Sequence, residues 1–230
     1  MGLASAATGI LFDFDGTLYG DWHIWISIIV DTLAYFQLTV EPIEALEKAR
    51  SMIEKGNGVN GTLKISGVVS AVARDHDVNR DDEMRAKFFQ LLDARMDETG
   101  PDDKVVRLLE QCQKAGFRMG IVTFVRKSRI SRRLEAWDFK RYFRSVVTPD
   151  DLPDVKPSPA PFTKAMREIE VEPMDCIVVG DEPVDMIGGK KAGATTVGLP
   201  QGFFSRKDLE SSGADHIIGS IDLLPTVMRL

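Results

Sequence analysis

Asp13 and Asp15 stand one residue apart at the end of an apolar run, in the string GILFDFDGTL. Carboxylates this close repel one another, and such pairs are rarely kept without a cation between or beside them. The plainer alternative is an acid-rich turn leaving a strand. Three later places carry groups suited to related chemistry. Thr123 closes the apolar run FRMGIVT, Lys156 opens the string KPSPAPF, and Asp181 and Asp185 follow the apolar run CIVVG. A hydroxyl, an ammonium group and two further carboxylates suit the handling of an anionic group beside a cation. Each also has an ordinary structural reading: a threonine ending a strand, a loop lysine, and acids at a helix start favoured by the helix dipole.

These groups meet only if the elements bring them to one rim. Ile10, Leu11 and Phe12 read as a buried strand ended by Gly16. A helix is expected over 22–38, with Trp22, Ile26, Ile29, Leu33 and Phe36 at helical spacing. Pro42 opens a second helix, with Leu46, Ala49 and Ile53 on one face. The glycine-rich GNGVNG loop at 56–61 leads to a third over 62–74, and Asn79 is the expected cap of a fourth over 80–97. No strand pattern lies between 22 and 97. From Gly100 the texture changes: helices over 102–115, 127–137, 160–170 and up to Ala192 alternate with strands at 117–123, 145–148, 176–180, 194–199 and 214–220. Such alternation implies βαβ units and a mostly parallel sheet. The expected fold is α/β: a Rossmann-like parallel-sheet core from residues 1–19 and 98–230, with an all-helical unit of residues 20–97 inserted after the first strand. The carboxyl ends of parallel strands line one edge, which is where Asp13, Asp15, Thr123, Lys156, Asp181 and Asp185 fall.

Composition narrows the partners. The chain has 230 residues, 43% of them hydrophobic, and a formal net charge of -6, which argues against general nucleic-acid affinity. Residues 126–144 hold eight basic side chains against Glu135 and Asp138; they read as solvated helix faces, with Arg126 the one near Thr123. Cys112 and Cys176 read as core thiols. The start MGLASAATG lacks the pattern of a signal peptide, and the apolar stretch Ile24 to Val30 falls short of the ~20 residues that cross a membrane. The expectation is a soluble cytoplasmic monomer or homodimer with no membrane or nucleic-acid partner.

Taken in order, DFDGTL, Thr123, Lys156-Pro157 and VVGDEPVD resemble the four motifs of the haloacid dehalogenase-like superfamily, and the helical insert resembles its C1 cap, as in phosphoglycolate phosphatase-like members. The resemblance spans essentially the whole chain. It implies Asp13 as a nucleophile that forms an aspartyl-phosphate, and Asp15 as the acid and then base of the two steps. Thr123 would hold phosphoryl oxygens and Lys156 would offset negative charge. Gly16, Thr17, Thr123, Phe124 and Lys156 would contact the substrate. Magnesium would be held by Asp13, the backbone carbonyl of Asp15, and Asp181, with Asp185 either a ligand through water or the partner that orients Lys156.

An acid at Asp15 favours phosphoryl transfer over dehalogenation, since the family's dehalogenases carry a non-acidic residue there. Phosphonatase-like members also lack it and use a cap lysine; Lys48, Lys55, Lys64 and Lys87 read instead as solvated faces. Phe124 stands where many relatives have asparagine, and Glu182 is expected in solvent. Trp22 and Trp25 read as packing residues, with His23 a candidate substrate contact. The implied activity is that of a magnesium-dependent phosphatase for a small phosphorylated metabolite. The alternatives are a phosphomutase using the same intermediate and a non-catalytic regulatory binding domain.

Overall fold

The computed structural model describes residues 7–54 and 65–228; the loop expected at 56–61, with Lys55 and Lys64, lies outside them. Strand β1 (Gly9–Phe12) is followed by helices α1 (Trp22–Tyr35), α2 (Pro42–Glu54), α3 (Ile65–Asp75) and α4 (Asp81–Thr99). The chain then alternates: α5 (Asp103–Lys114), β2 (Arg118–Val122), α6 (Lys127–Ala136), β3 (Phe143–Val147), α7 (Ala160–Glu168), β4 (Cys176–Gly180), α8 (Pro183–Lys191), β5 (Thr195–Gly198), α9 (Arg206–Ser211), β6 (His216–Ile217) and α10 (Leu224–Met228). It divides into two compact units, one from the described residues up to Tyr19 together with those from Pro101, the other Gly20–Gly100.

The first unit is built on a six-stranded sheet in the order β3-β2-β1-β4-β5-β6, every pair parallel. β1 and β4 are buried along their whole length. That is why they read as unbroken apolar runs and not as alternating patterns. Gly9 lies beside Arg118 on one side and Cys176 on the other, so β1 is central. The chain runs from β1 outward to β2 and β3 on one side and from β4 outward to β5 and β6 on the other, which opens a crevice at the carboxyl ends of β1 and β4. Beneath it Leu11, Val122 and Val178 pack with Phe162, Met166 and Ile169 of the α7 segment.

In the second unit α1 buries Trp25, Ile26, Ile28, Ile29 and Leu33, and α4 buries Met84, Phe88, Leu92 and Met96. α3 supplies Val68, Val69 and Val72, and α2 supplies Ala45, Leu46 and Ala49. The spacing of these residues places one apolar face of each helix inward. Arg95 of α4 also reaches Asp31 of α1 at 3.0 Å.

Several helix ends shift by a residue or more from expectation, two of them for a clear local reason. α1 stops at Tyr35 because Gln37 turns into the left-handed region, at φ 63°, so Phe36 caps the helix instead of continuing its face. Asn79 does not cap α4. The helix begins a residue later, after Arg80, whose Nε donates to Glu83 at 3.0 Å, and Asp81, Asp82 and Glu83 set negative charge on its positive end. The cap that sequence reading missed is Asp21, whose carboxylate accepts from the backbone N–H groups of His23 at 2.9 Å and Ile24 at 3.2 Å.

Candidate active site

Four strand ends deliver the predicted groups. The residue after β1 is Asp13, held in the sheet's hydrogen-bond pattern by its backbone N–H, which donates to Val179 at 2.9 Å. Thr123, just past β2, is held the same way through its N–H to Val147 at 3.0 Å. Lys156 comes from the loop after β3, Asp181 from the residue after β4, and Asp185 from the first turn of α8. All five side chains are buried.

Lys156 is the hub. Its Nζ lies 2.9 Å from Asp13 Oδ1 and 2.8 Å from Asp185 Oδ1, and 4.8 Å from the centre of the Phe124 ring. The second oxygen of Asp185 accepts the backbone N–H of Glu182 at 3.3 Å, so one carboxylate both pairs with the lysine and tethers the start of its own helix. Asp181 Oδ1 accepts the Thr17 hydroxyl at 3.1 Å. Thr17, expected against substrate, therefore spends its hydroxyl on orienting Asp181. Gly16 sits at φ 83°, a conformation glycine takes without strain, and a methyl group there would overlap the Asp181 carboxylate. Thr123 Oγ1 accepts the N–H of Val125 at 3.1 Å; a hydroxyl that accepts in this way still has its own hydrogen to donate. Thr123, Phe124, Val155 and Lys156 line a small pocket.

The charges do not balance within this cluster. Burial opposes the charge of Lys156, but Asp13, Asp185 and Glu182 around it hold it protonated well beyond the ordinary lysine range. The carboxylates share that single ammonium and fare worse. Burial, with the charge of Asp13, pushes Asp181 well above its usual range; burial raises Asp185 to about 7 even against the pull of Lys156. Asp15, half-buried, is raised to about 7 by burial and by Asp13. Oxygen atoms of Asp13, Asp181 and Asp185 lie within 4.8 Å of one another. Hard carboxylate donors at this spacing, with more negative charge than the site compensates, fit a small divalent cation.

Several expectations need revision. Arg126, taken as the basic side chain nearest the chemistry, is 73% exposed and paired with Asp150. The charges that reach the site are those of Arg129 and Arg133 on α6, which oppose the rise of Asp15. Arg133 is buried, against the expectation that this stretch is a solvated face. Their spacing of four on one helix was the signal available. Glu182 is half-buried, not in solvent, and burial with the charge of Asp181 drives it well above the usual range. In the helical unit His23 is exposed, stacked on Trp22 with ring centres 3.5 Å apart and paired with Asp21 at 3.5 Å. Trp25 is buried there as a packing residue. Lys48 pairs with Asp75, and Lys87 lies 3.9 Å over the Tyr35 ring.

The sequence profile of the haloacid dehalogenase-like hydrolases matches residues 10–199, from β1 through the end of β5. The chain belongs to this family. Among relatives of the haloacid dehalogenase-like chain is a protein named pyrophosphatase PpaX from Bacillus mycoides (strain KBAB4), 28% identical over 224 residues, covering 96% of this chain and 97% of the relative. Among solved structures, a predicted phosphoglycolate phosphatase from Haemophilus somnus 129PT shares the fold at TM-score 0.74 and 20% identity, over 98% of this chain and 99% of that one. A HAD family hydrolase from Deinococcus radiodurans R1 with bound phosphate and sodium does so at TM-score 0.75 and 21% identity, over 98% and 96%. Among the described residues of this family member, no helix is long and apolar enough to cross a membrane.

Proposed function

We propose that the protein is a magnesium-dependent phosphatase that hydrolyses a small phosphorylated metabolite through an aspartyl-phosphate on Asp13. The observation that carries this reading is Lys156, buried and bridging Asp13 and Asp185 beside the Asp181 carboxylate. A bare carboxylate repels a phosphate ester; one screened by a buried ammonium can approach it.

In the first step an Asp13 carboxylate oxygen forms a bond to phosphorus while the bond from phosphorus to the ester oxygen breaks. The leaving oxygen takes a proton from Asp15, whose rise to about 7 keeps that proton available near neutrality. In the second, a water oxygen forms a bond to the phosphorus of the aspartyl-phosphate while the bond from phosphorus to Asp13 breaks; the water gives its proton to Asp15, phosphate leaves, and both aspartates are restored. Asp13, Asp181 and the backbone carbonyl of Asp15 would hold the cation, with Asp185 orienting Lys156 from behind. When bound, the cation supplies positive charge against the phosphoryl oxygens. Thr123 offers a hydroxyl to the same oxygens, and the Phe124 ring packs beside the lysine's Nζ. The helical unit is the proposed cap, which selects the leaving group.

The test is a phosphate-release screen over phosphoglycolate-like, nucleotide and sugar phosphates, with and without Mg2+; pyrophosphate joins the panel because of the PpaX relative. Asp13→Asn removes the nucleophile, and its activity is expected to fall by about 10⁴-fold or more, to background. No phosphate from any compound, or a variant as active as the wild type, would sink the proposal. A phosphorylated product without free phosphate would mark a mutase instead.

A further inference from the structure

The loop after β5 takes no part in the four motifs, yet it enters the site. Its start is tied down: Leu199 N–H donates to the Gly180 carbonyl at 2.9 Å, and Gln201 N–H to the Leu199 carbonyl at 2.8 Å. From that anchored turn the Gln201 side-chain amide crosses to the far end of the sequence. Its Nε2 donates to the Gly16 carbonyl at 2.9 Å and lies 3.4 Å from the Thr17 carbonyl. The next residue, Gly202, approaches Asp181 so closely that a methyl group on it would overlap Asp181 Oδ2, the same oxygen that leaves no room for one on Gly16.

We infer that Gln201 and Gly202 are positioning residues for the cation site, acting on two of its ligands from one loop. The inference rests on the proposed site of the preceding section. The first ligand is the Asp15 carbonyl. It belongs to the peptide plane whose N–H is that of Gly16, and that N–H donates to the Tyr19 carbonyl at 2.7 Å. The following peptide plane is gripped by Gln201 through the Gly16 carbonyl. Because peptide groups are planar, fixing the planes on both sides of Gly16 fixes where the Asp15 carbonyl points. The second ligand is Asp181. Its Oδ1 is held by the Thr17 hydroxyl, and its Oδ2 is confined between the backbones at Gly16 and Gly202. Gln201 holds the backbone that carries Thr17, so loss of its amide loosens both ligands together. An amide is the required group: the partners are carbonyl oxygens, and a carboxylate of the same shape would have nothing to donate and would repel them.

The test reads metal binding without turnover. Metal-free wild type, Gln201→Glu and Gln201→Ala are melted across a series of Mg2+ concentrations, and phosphate release is measured alongside. Both variants should need about tenfold more Mg2+ for half of the full thermal shift, as is usual when an outer partner of a metal ligand is lost. Their metal-free Tm should stay within about 2 °C of wild type. Gly202→Ala should weaken Mg2+ binding further if it folds, and the two Gln201 variants decide the matter if it does not. Midpoints equal to wild type, or a lower metal-free Tm with an unchanged midpoint, overturn the inference, the second by reducing Gln201 to ordinary loop packing. A wild type indifferent to Mg2+ overturns it as well. A wild type that binds Mg2+ and releases no phosphate counts against the phosphatase reading alone, with the Gln201 role still judged by the midpoints.

Discussion

Lys156 is buried with Asp13 and Asp185 against it, and the arrangement has a stability cost whenever one partner is removed. Replacing it by methionine keeps the volume and deletes the charge. At pH 8 Asp13 and Asp185 then face each other unscreened, and loss of such a buried partner costs about 3–5 kcal/mol. Asp185 sits at about 7 even with the lysine present, so in its absence the carboxyl is protonated well before pH 5.5 is reached. Lys156→Met should therefore be more destabilising at pH 8 than at pH 5.5 in urea unfolding of the metal-free protein. An equal loss at both would mean that the lysine contributes through packing alone.

At the scale of elements, the helical insert depends on its first turn. Asp21 satisfies two backbone N–H groups of α1, and Asp21→Ala should cost about 1 kcal/mol, seen as faster hydrogen exchange at His23 and Ile24. Unchanged exchange there would mean that packing of Trp25 and Ile26 holds the turn unaided. Asp21 also shows what the sequence does and does not disclose. Periodicity placed the helices and strands within a few residues, because burial of one face is written in every turn of the chain. It placed Asp13, Thr123, Lys156 and Asp181 on one edge, because parallel strands present their carboxyl ends together. It offered Asn79 as the cap of α4 and passed over Asp21 before α1, since a good capping residue caps only where the entry path of the chain aims its side chain at the helix start. The spacing of four between Arg129 and Arg133, beside Ile130 and Leu134, was a hint of which arginines of α6 face inward, but the many charges on that helix masked it. The grip of Gln201 on Gly16 crosses nearly the whole chain, and no local pattern records it. The only available signal was that LPQGFF leaves a strand at its carboxyl end.

For the molecule as a whole, the site stores unfavourable charge. In the folded chain Asp15 and Asp185 hold their protons up to about 7, against 3.8 for an ordinary exposed aspartate. Between about pH 4 and 7 the folded chain thus binds more protons than the unfolded one, and stability falls as pH rises through that window. Carboxylates shifted the other way, such as Asp151, Glu168 and Asp215, add stability that is lost only at more acidic pH. Metal-free protein should melt at a lower temperature at pH 8 than at pH 5.5. Mg2+ should raise the Tm more at pH 8, since fewer protons then compete for its carboxylate ligands. A metal-free Tm that climbs over this range would contradict the charge account.

The central place of β1 has a temporal side. Gly9 pairs with Arg118 on one edge and with Cys176 on the other, so both neighbours of the strand emerge from the ribosome long after it does. Helices α1 to α4 find many partners within their own stretch of chain and can assemble while the rest is still being made. Until β2 is made, the strand that precedes the proposed nucleophile is an apolar segment without a sheet. The carboxylates that follow it, charged and well hydrated while the chain is open, help guard that waiting segment against pairing with the wrong chain.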